Sequence, residues 1–101
     1  MASVFKNYTV EATTGGATLY TVPASTTSVI IGLNLANKTG SAVTASVQLG
    51  TVYLIKDASI PAGSALSVLD GKIVGETADV LTVTASANTA VDAILSTLEQ
   101  S

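Results

Sequence analysis

The chain has 101 residues, of which 11% are charged, with a net charge of −3, four lysines and seven carboxylates, and it contains neither histidine nor cysteine. Imidazole bases, thiolate nucleophiles, Ser–His–Asp triads, disulfides and the usual zinc sites are therefore excluded. The length fits a single domain over residues 1–101, which buries only about two-thirds of its unfolded surface, so the core must be built efficiently or extended by partner subunits.

The charged fraction falls well below the roughly 25% of an ordinary soluble domain. Thr, Ser and Ala take the place of the missing ions. Such a surface is easily buried against a neighbour because few charges need desolvation; the plainer alternative is a soluble, Thr-rich β-protein. Lys6, Lys38, Lys56 and Lys72 are scattered, and Phe5, Tyr8, Tyr20 and Tyr53 form no stacking motif. Without a basic face or Arg forks, nucleic acid is not an expected partner. No apolar run approaches the length of about 20 residues needed to cross a bilayer, so no membrane association is expected. The first residues lack the apolar region of a secretion signal, so synthesis and assembly in a cytoplasm are expected.

Alternation of period two dominates in chain order. Residues 8–11 and 18–22 flank a turn at Thr13-Thr14-Gly15-Gly16, and Pro23 forces Val22 to be extended. Val29, Ile31, Leu33 and Leu35 share one face of a half-buried strand, opposite Ile30, Gly32, Asn34 and Ala36. Val43, Ala45, Val47 and Leu49 repeat the pattern. The intervening Asn37-Lys38-Thr39-Gly40-Ser41 is turn chemistry, which predicts an antiparallel hairpin between these two strands. A β-rich stretch over residues 51–60 ends at Pro61-Ala62-Gly63-Ser64. Residues 66–69 and 72–74 enclose Asp70-Gly71, a dipeptide favoured in tight hairpin turns, and residues 80–85 form a further alternating strand. The C-terminal segment reads two ways. Val91, Ile94, Leu95 and Leu98 fit a helix with a Thr89–Asp92 capping box, whereas Val91, Ala93, Leu95 and Thr97 would share one face of a strand. Seven or eight short strands at this spacing predict an all-β, antiparallel β-sandwich of jelly-roll type.

Chemistry-bearing residues are few. Of the carboxylates Glu11, Asp57, Asp70, Glu76, Asp79, Asp92 and Glu99, only Glu76 and Asp79 stand close enough in sequence to be weighed as a facing pair, or with Asp70 as a calcium site. Both readings yield to solvated turns. No Gly-x-Ser-x-Gly elbow, phosphate loop or dinucleotide loop is present. No enzyme activity, catalytic or metal residue, or cofactor is expected. Tyr20 and Tyr53 could line a shallow glycan groove, although half-buried packing suits tyrosine better.

Leu19-Tyr20-Thr21-Val22-Pro23-Ala24-Ser25, Val29-Ile30-Ile31-Gly32-Leu33, Leu35-Ala36-Asn37-Lys38-Thr39, Ile60-Pro61-Ala62-Gly63-Ser64, Gly71-Lys72-Ile73-Val74 and Asp79-Val80-Leu81-Thr82-Val83 together resemble the small β-sandwich virion proteins of tailed bacteriophages. The resemblance covers about residues 19–99. It implies a non-enzymatic virion structural protein, first a capsid decoration or cement subunit on the particle exterior and second a collar, neck or tail accessory protein. It also implies a homo-oligomer whose partners are copies of itself and other virion proteins, above all the major capsid protein, and it makes residues 90–98 a closing strand. Similar sequences tend to carry Gly-Asp where this chain has Ala78-Asp79, which puts that turn's type in question. A glycan-binding module is the alternative from another class.

Overall fold

The computed structural model describes residues 3–68 and 72–101. These form nine strands: β1 (Ser3–Glu11), β2 (Ala17–Thr21), β3 (Thr27–Asn37), β4 (Val43–Leu49), β5 (Val52–Ile60), β6 (Ala65–Ser67), β7 (Ile73–Gly75), β8 (Val80–Ala85) and β9 (Val91–Gln100). One sheet has the order β1-β9-β3-β6, with β7 also paired to β3, and the other has the order β2-β8-β4-β5. All the strand pairs are antiparallel. The first strand pairs with the last, the second with β8, the third with β6 and β7, and the fourth with β5. This nesting of early strands on late ones is an antiparallel ribbon rolled into two facing sheets, a jelly roll. The expected sandwich is therefore present, with nine strands rather than seven or eight. The extra strand arises because β6 and β7 lie end to end along one edge of β3, at residues 34–36 and 28–30 of that strand.

The core follows the alternation. Leu33 and Leu35 on β3, Ala45 and Val47 on β4, Leu81 and Val83 on β8, and Val91, Ala93 and Leu95 on β9 are all buried between the sheets. A fully buried Val, Leu or Ile contributes about 1.5–3 kcal/mol relative to exposure. The C-terminal segment is strand β9, central in its sheet between β1 and β3. Its helical periodicity yields because a middle strand satisfies backbone groups on both sides and buries every second side chain.

Three local expectations are corrected. β3 and β4 do not form a hairpin, because β3 belongs to one sheet and β4 to the other. Residues 38–42 instead cross between the sheets. Buried Asn37 fixes this crossing, its side-chain amide donating to the carbonyls of Ser41 (2.8 Å) and Ile60 (3.0 Å). Its Oδ1 accepts from the Thr39 amide and hydroxyl at 2.9 and 2.7 Å. Asn37→Ala should thus cost about 2–4 kcal/mol by leaving several polar groups unpaired, measured by urea unfolding.

The inward face of β3 is also not continuous. Pairing with β9 slips between Ile30 and Gly32, so Ile31 is an extra residue at a β-bulge and the pleat inverts across it. Ser28 and Ile30 are buried before the bulge, and Leu33 and Leu35 after it. Val29 and Ile31, expected inside, lie outside the core. Finally, residues 66–74 do not form a hairpin: β6 and β7 both pair with β3 rather than with each other. The Asp70-Gly71 turn itself lies outside the described residues.

The Ala78-Asp79 turn carries a cost. Ala78 has φ 73°, a left-handed conformation that disfavours any residue with a Cβ. The turn is held by the Asp79 amide donating to the Glu76 carbonyl at 2.9 Å and by the Ala78 amide donating to the Val22 carbonyl at 3.1 Å. Ala78→Gly should raise stability by about 0.5–1 kcal/mol, read as a higher melting temperature. The turns led by Pro23 and Pro61 are built alike: Ser25 in the first has φ 54° and Gly63 in the second has φ 68°.

Candidate functional site

The sequence candidates do not converge. Glu76 and Asp79 hold their own turn, with the Glu76 amide donating to Asp79 Oδ2 at 2.9 Å. Asp70 lies outside the described residues, and among those described no group of three or more acidic side chains is placed to hold a metal ion. Glu11 and Asp92, neighbours across β1 and β9, both pair with Lys38, the latter at 2.9 Å. Ser3 and Lys6 have Ser-x-x-Lys spacing, but on a strand that spacing sends them to opposite faces. Tyr20 is 3% exposed on β2 and Tyr53 is 46% exposed on β5, the two opposite edges of one sheet. They cannot line one groove. Tyr53 instead lies beneath Lys56, whose ammonium is 5.5 Å from the ring centre.

A polar cluster does form at the other end of β9. The inward parity of Val91, Ala93, Leu95 and Thr97 continues to Glu99, which is buried. Its Oε2 accepts from the Tyr8 hydroxyl at 2.5 Å and the Tyr20 hydroxyl at 2.7 Å, and the two rings lie 4.4 Å apart. Burial pushes the Glu99 carboxyl upward, but the two phenol donors and the nearby Lys6 charge outweigh it and leave it below the usual range. The Tyr8 hydroxyl is held well above its ordinary value by burial and then by the carboxylate it serves. Burial is likewise the main cause of the upward shift at Tyr20. Buried Ser28 Oγ close by has no hydrogen-bond partner among the described residues. An ionised acceptor with two protonated donors ties β1 and β2, in different sheets, to the last strand. The cluster contains no activated nucleophile. The strand reading of residues 91–97 signalled it, since two further residues place Glu99 inward.

The outward faces of the sheets differ. On the second sheet, Thr18, Thr82, Gln48 and Tyr53 stand directly opposite one another across β2, β8, β4 and β5, flanked by the pairs Thr84–Ser46 and Thr44–Ser59. On the first sheet the corresponding row is Phe5, Leu98, Val29 and Val74 across β1, β9, β3 and β7. Phe5 is 74% exposed and Val74 55%, and the exposed Ile31 and Ile94 extend the row. The bulge at Ile31 thus adds a large apolar side chain to the outside. An open hollow lined by Phe5, Asn7, Ile31 and Ser96 lies beside it. An apolar band crossing a whole sheet is an unusual outer surface for a small monomer and typically marks an interaction site.

No protein-family model matches the chain, and no curated protein matches it. Among solved structures, the fold is similar to Bacillus endospore appendages, described as a novel family of disulfide-linked pili. The match has 18% identity and a TM-score of 0.53, and covers 99% of this chain and 87% of that one. At that identity the likeness is one of fold.

Proposed function

We propose that the chain is a non-enzymatic structural subunit used in many copies on a larger assembly, in the first place a decoration or cement protein on the capsid exterior of a tailed bacteriophage. The observation that carries this reading is the apolar row Phe5–Leu98–Val29–Val74, a band across the outward face of one sheet that suits a protein neighbour. The low charge and the sequence resemblance to phage virion β-sandwiches support it. The pilus-forming neighbour supports the coarser part, a repeated subunit. These 101 residues contain no cysteine, so contacts among them are non-covalent. A cement subunit acts by mass action: binding only the assembled shell, it stabilises that shell. The collar, neck or tail role is the second reading within the same class. The separation of Tyr20 from Tyr53 removes the geometric support for a glycan groove.

Purified virions labelled with an antibody against the chain, with copy number measured by quantitative mass spectrometry, test the setting. Dense labelling of the head with about a hundred or more copies is expected. A dozen copies at the neck would favour the accessory role, and absence from particles would overturn the virion reading.

A further inference from the structure

β1 is an edge strand whose only described ladder partner is β9, and its nine residues pair with residues 92–100 without a slip. The other edges are interrupted: β2 has a register shift at Leu19, β5 has two, and β6 and β7 divide the remaining edge. Interruptions of this kind blunt an edge against pairing with another chain, whereas a long regular edge invites it. The Ala12 amide donates to the Val91 carbonyl at 2.9 Å, which fixes the phase of the ladder. Even-numbered residues of β1 bond to β9, and Ser3, Phe5, Asn7, Thr9 and Glu11 turn their N–H and C=O groups away from it.

We infer that β1 is a self-association edge, pairing antiparallel with β1 of a second copy about a twofold axis at Asn7. In this register Ser3 faces the second copy's Glu11, Phe5 its Thr9 and Asn7 its Asn7, which joins the outward-turned backbone groups in about ten hydrogen bonds. On the sandwich side, Val4 meets Val10 and Lys6 meets Tyr8. No like charges stand directly opposite. The two Lys6 side chains are diagonal neighbours, and each has the ionised Glu99 of its own copy as counter-charge. A twofold axis normal to the sheet keeps the outward faces aligned, so the apolar rows of two copies share one side of a continuous ten-stranded sheet, in which β6 and β7 of each copy share one edge position. The pattern is self-complementary, which selects a second copy as the occupant.

The area sets the strength. An edge of nine residues is about 30 Å long, and a side-chain layer about 10 Å deep makes roughly 300 Å², well under the 800 Å² per partner of a stable dimer. The pairing is therefore weak in free solution and becomes effective where copies are held close together, as on a particle surface. This inference rests on the structural-subunit reading and supplies the contact between its copies.

Sedimentation equilibrium from 10 µM to 1 mM, with hydrogen exchange followed by NMR at both ends, tests it. The expected result is a concentration-dependent dimer in which the Phe5, Asn7 and Thr9 amides gain at least tenfold protection, while those of Lys6, Tyr8 and Val10 are protected throughout. Asn7→Pro removes an outward N–H without touching the bonds to β9, and Phe5→Lys places a charge on the 74% exposed Phe5 site. Each should weaken association tenfold or more, while Val52→Lys on β5 leaves it unchanged. If Asn7→Pro fails to fold, Phe5→Lys and the exchange pattern decide. Association without the odd-numbered protection, or undiminished in Phe5→Lys, would overturn the edge assignment and leave the subunit reading standing. A wild-type monomer at 1 mM would overturn the pairing, and particle labelling would then judge the function separately.

Discussion

Leu33→Asp should cost about 3–5 kcal/mol or unfold the domain outright, while Ile31→Asp, two residues earlier on the same strand, should cost less than about 1 kcal/mol. Leu33 is 2% exposed within the sandwich core. A carboxylate there is buried among apolar side chains without a partner, among the most damaging single changes available, in a domain whose whole stability is of order 5–15 kcal/mol. Ile31 is 39% exposed on the outer face because the bulge carries it there. Strict alternation would give the two positions the same facing and the same loss. Urea unfolding of both variants therefore measures the bulge itself: comparable losses at 31 and 33 would mean that the strand runs straight and Ile31 points inward.

That contrast marks the boundary of what the sequence carries. Alternation predicted the strand over residues 80–85, and β8 is Val80–Ala85. It also placed Leu33, Leu35, Val43, Ala45 and Val47 inward, because burial of one face imposes period two whatever the strand pairs with. Pairing partners are a different matter. The inner faces of two opposed sheets produce the same pattern as two neighbours in one sheet, so Leu35 and Val43 look identical across a hairpin and across a crossing. What distinguishes them is the network of Asn37, whose partners include the carbonyl of Ile60, distant in sequence. The bulge at Ile31 was hidden for a similar reason. Val29-Ile30-Ile31 is apolar at three consecutive positions, so either phase is locally acceptable, and the slip is decided by register against β9. The C-terminal strand was undecided from periodicity alone, since residues 91–98 satisfy both periods; its place between β1 and β3 is a non-local fact.

The outward row was the least visible. Phe5, Leu98, Val29 and Val74 come from four strands far apart in the chain, and no local window contains two of them. Only the nested pairing of first strand with last brings Phe5 opposite Leu98. Low charge and a Thr-rich composition indicated that some face was available for burial without indicating which.

Glu99→Ala should destabilise the domain by about 3–5 kcal/mol at neutral pH, and the loss should depend on pH in a defined way. The substitution removes the common acceptor of the half-buried Tyr8 hydroxyl and the buried Tyr20 hydroxyl, where a buried donor left without an acceptor costs about 1–3 kcal/mol and loss of a charged acceptor lies at the upper end. In the folded protein the Glu99 carboxyl is held below 4.5. Its contribution is therefore complete above the unfolded-state value and fades as the pH falls through the lower folded-state value, where protonation abolishes the charged acceptor. Both phenols are held above 10.0. Their contribution is complete below pH 10 and is lost as the pH rises beyond it, because the unfolded chain then ionises phenols that the folded chain keeps protonated. The stability difference between wild type and Glu99→Ala should thus be flat from about pH 5 to pH 10 and narrow towards acid; towards alkali it narrows only by the part of the phenol shifts that Glu99 supplies, because burial, their main cause, persists in the variant. Guanidinium unfolding at half-unit pH steps measures it, and alkaline absorbance at 295 nm supplies an independent readout: Tyr8→Phe with Tyr20→Phe should delete the late-titrating part of the tyrosinate signal. A difference that stays constant down to pH 2, or a late alkaline signal that survives the double substitution, would show that the carboxylate and the two phenols do not act as one unit.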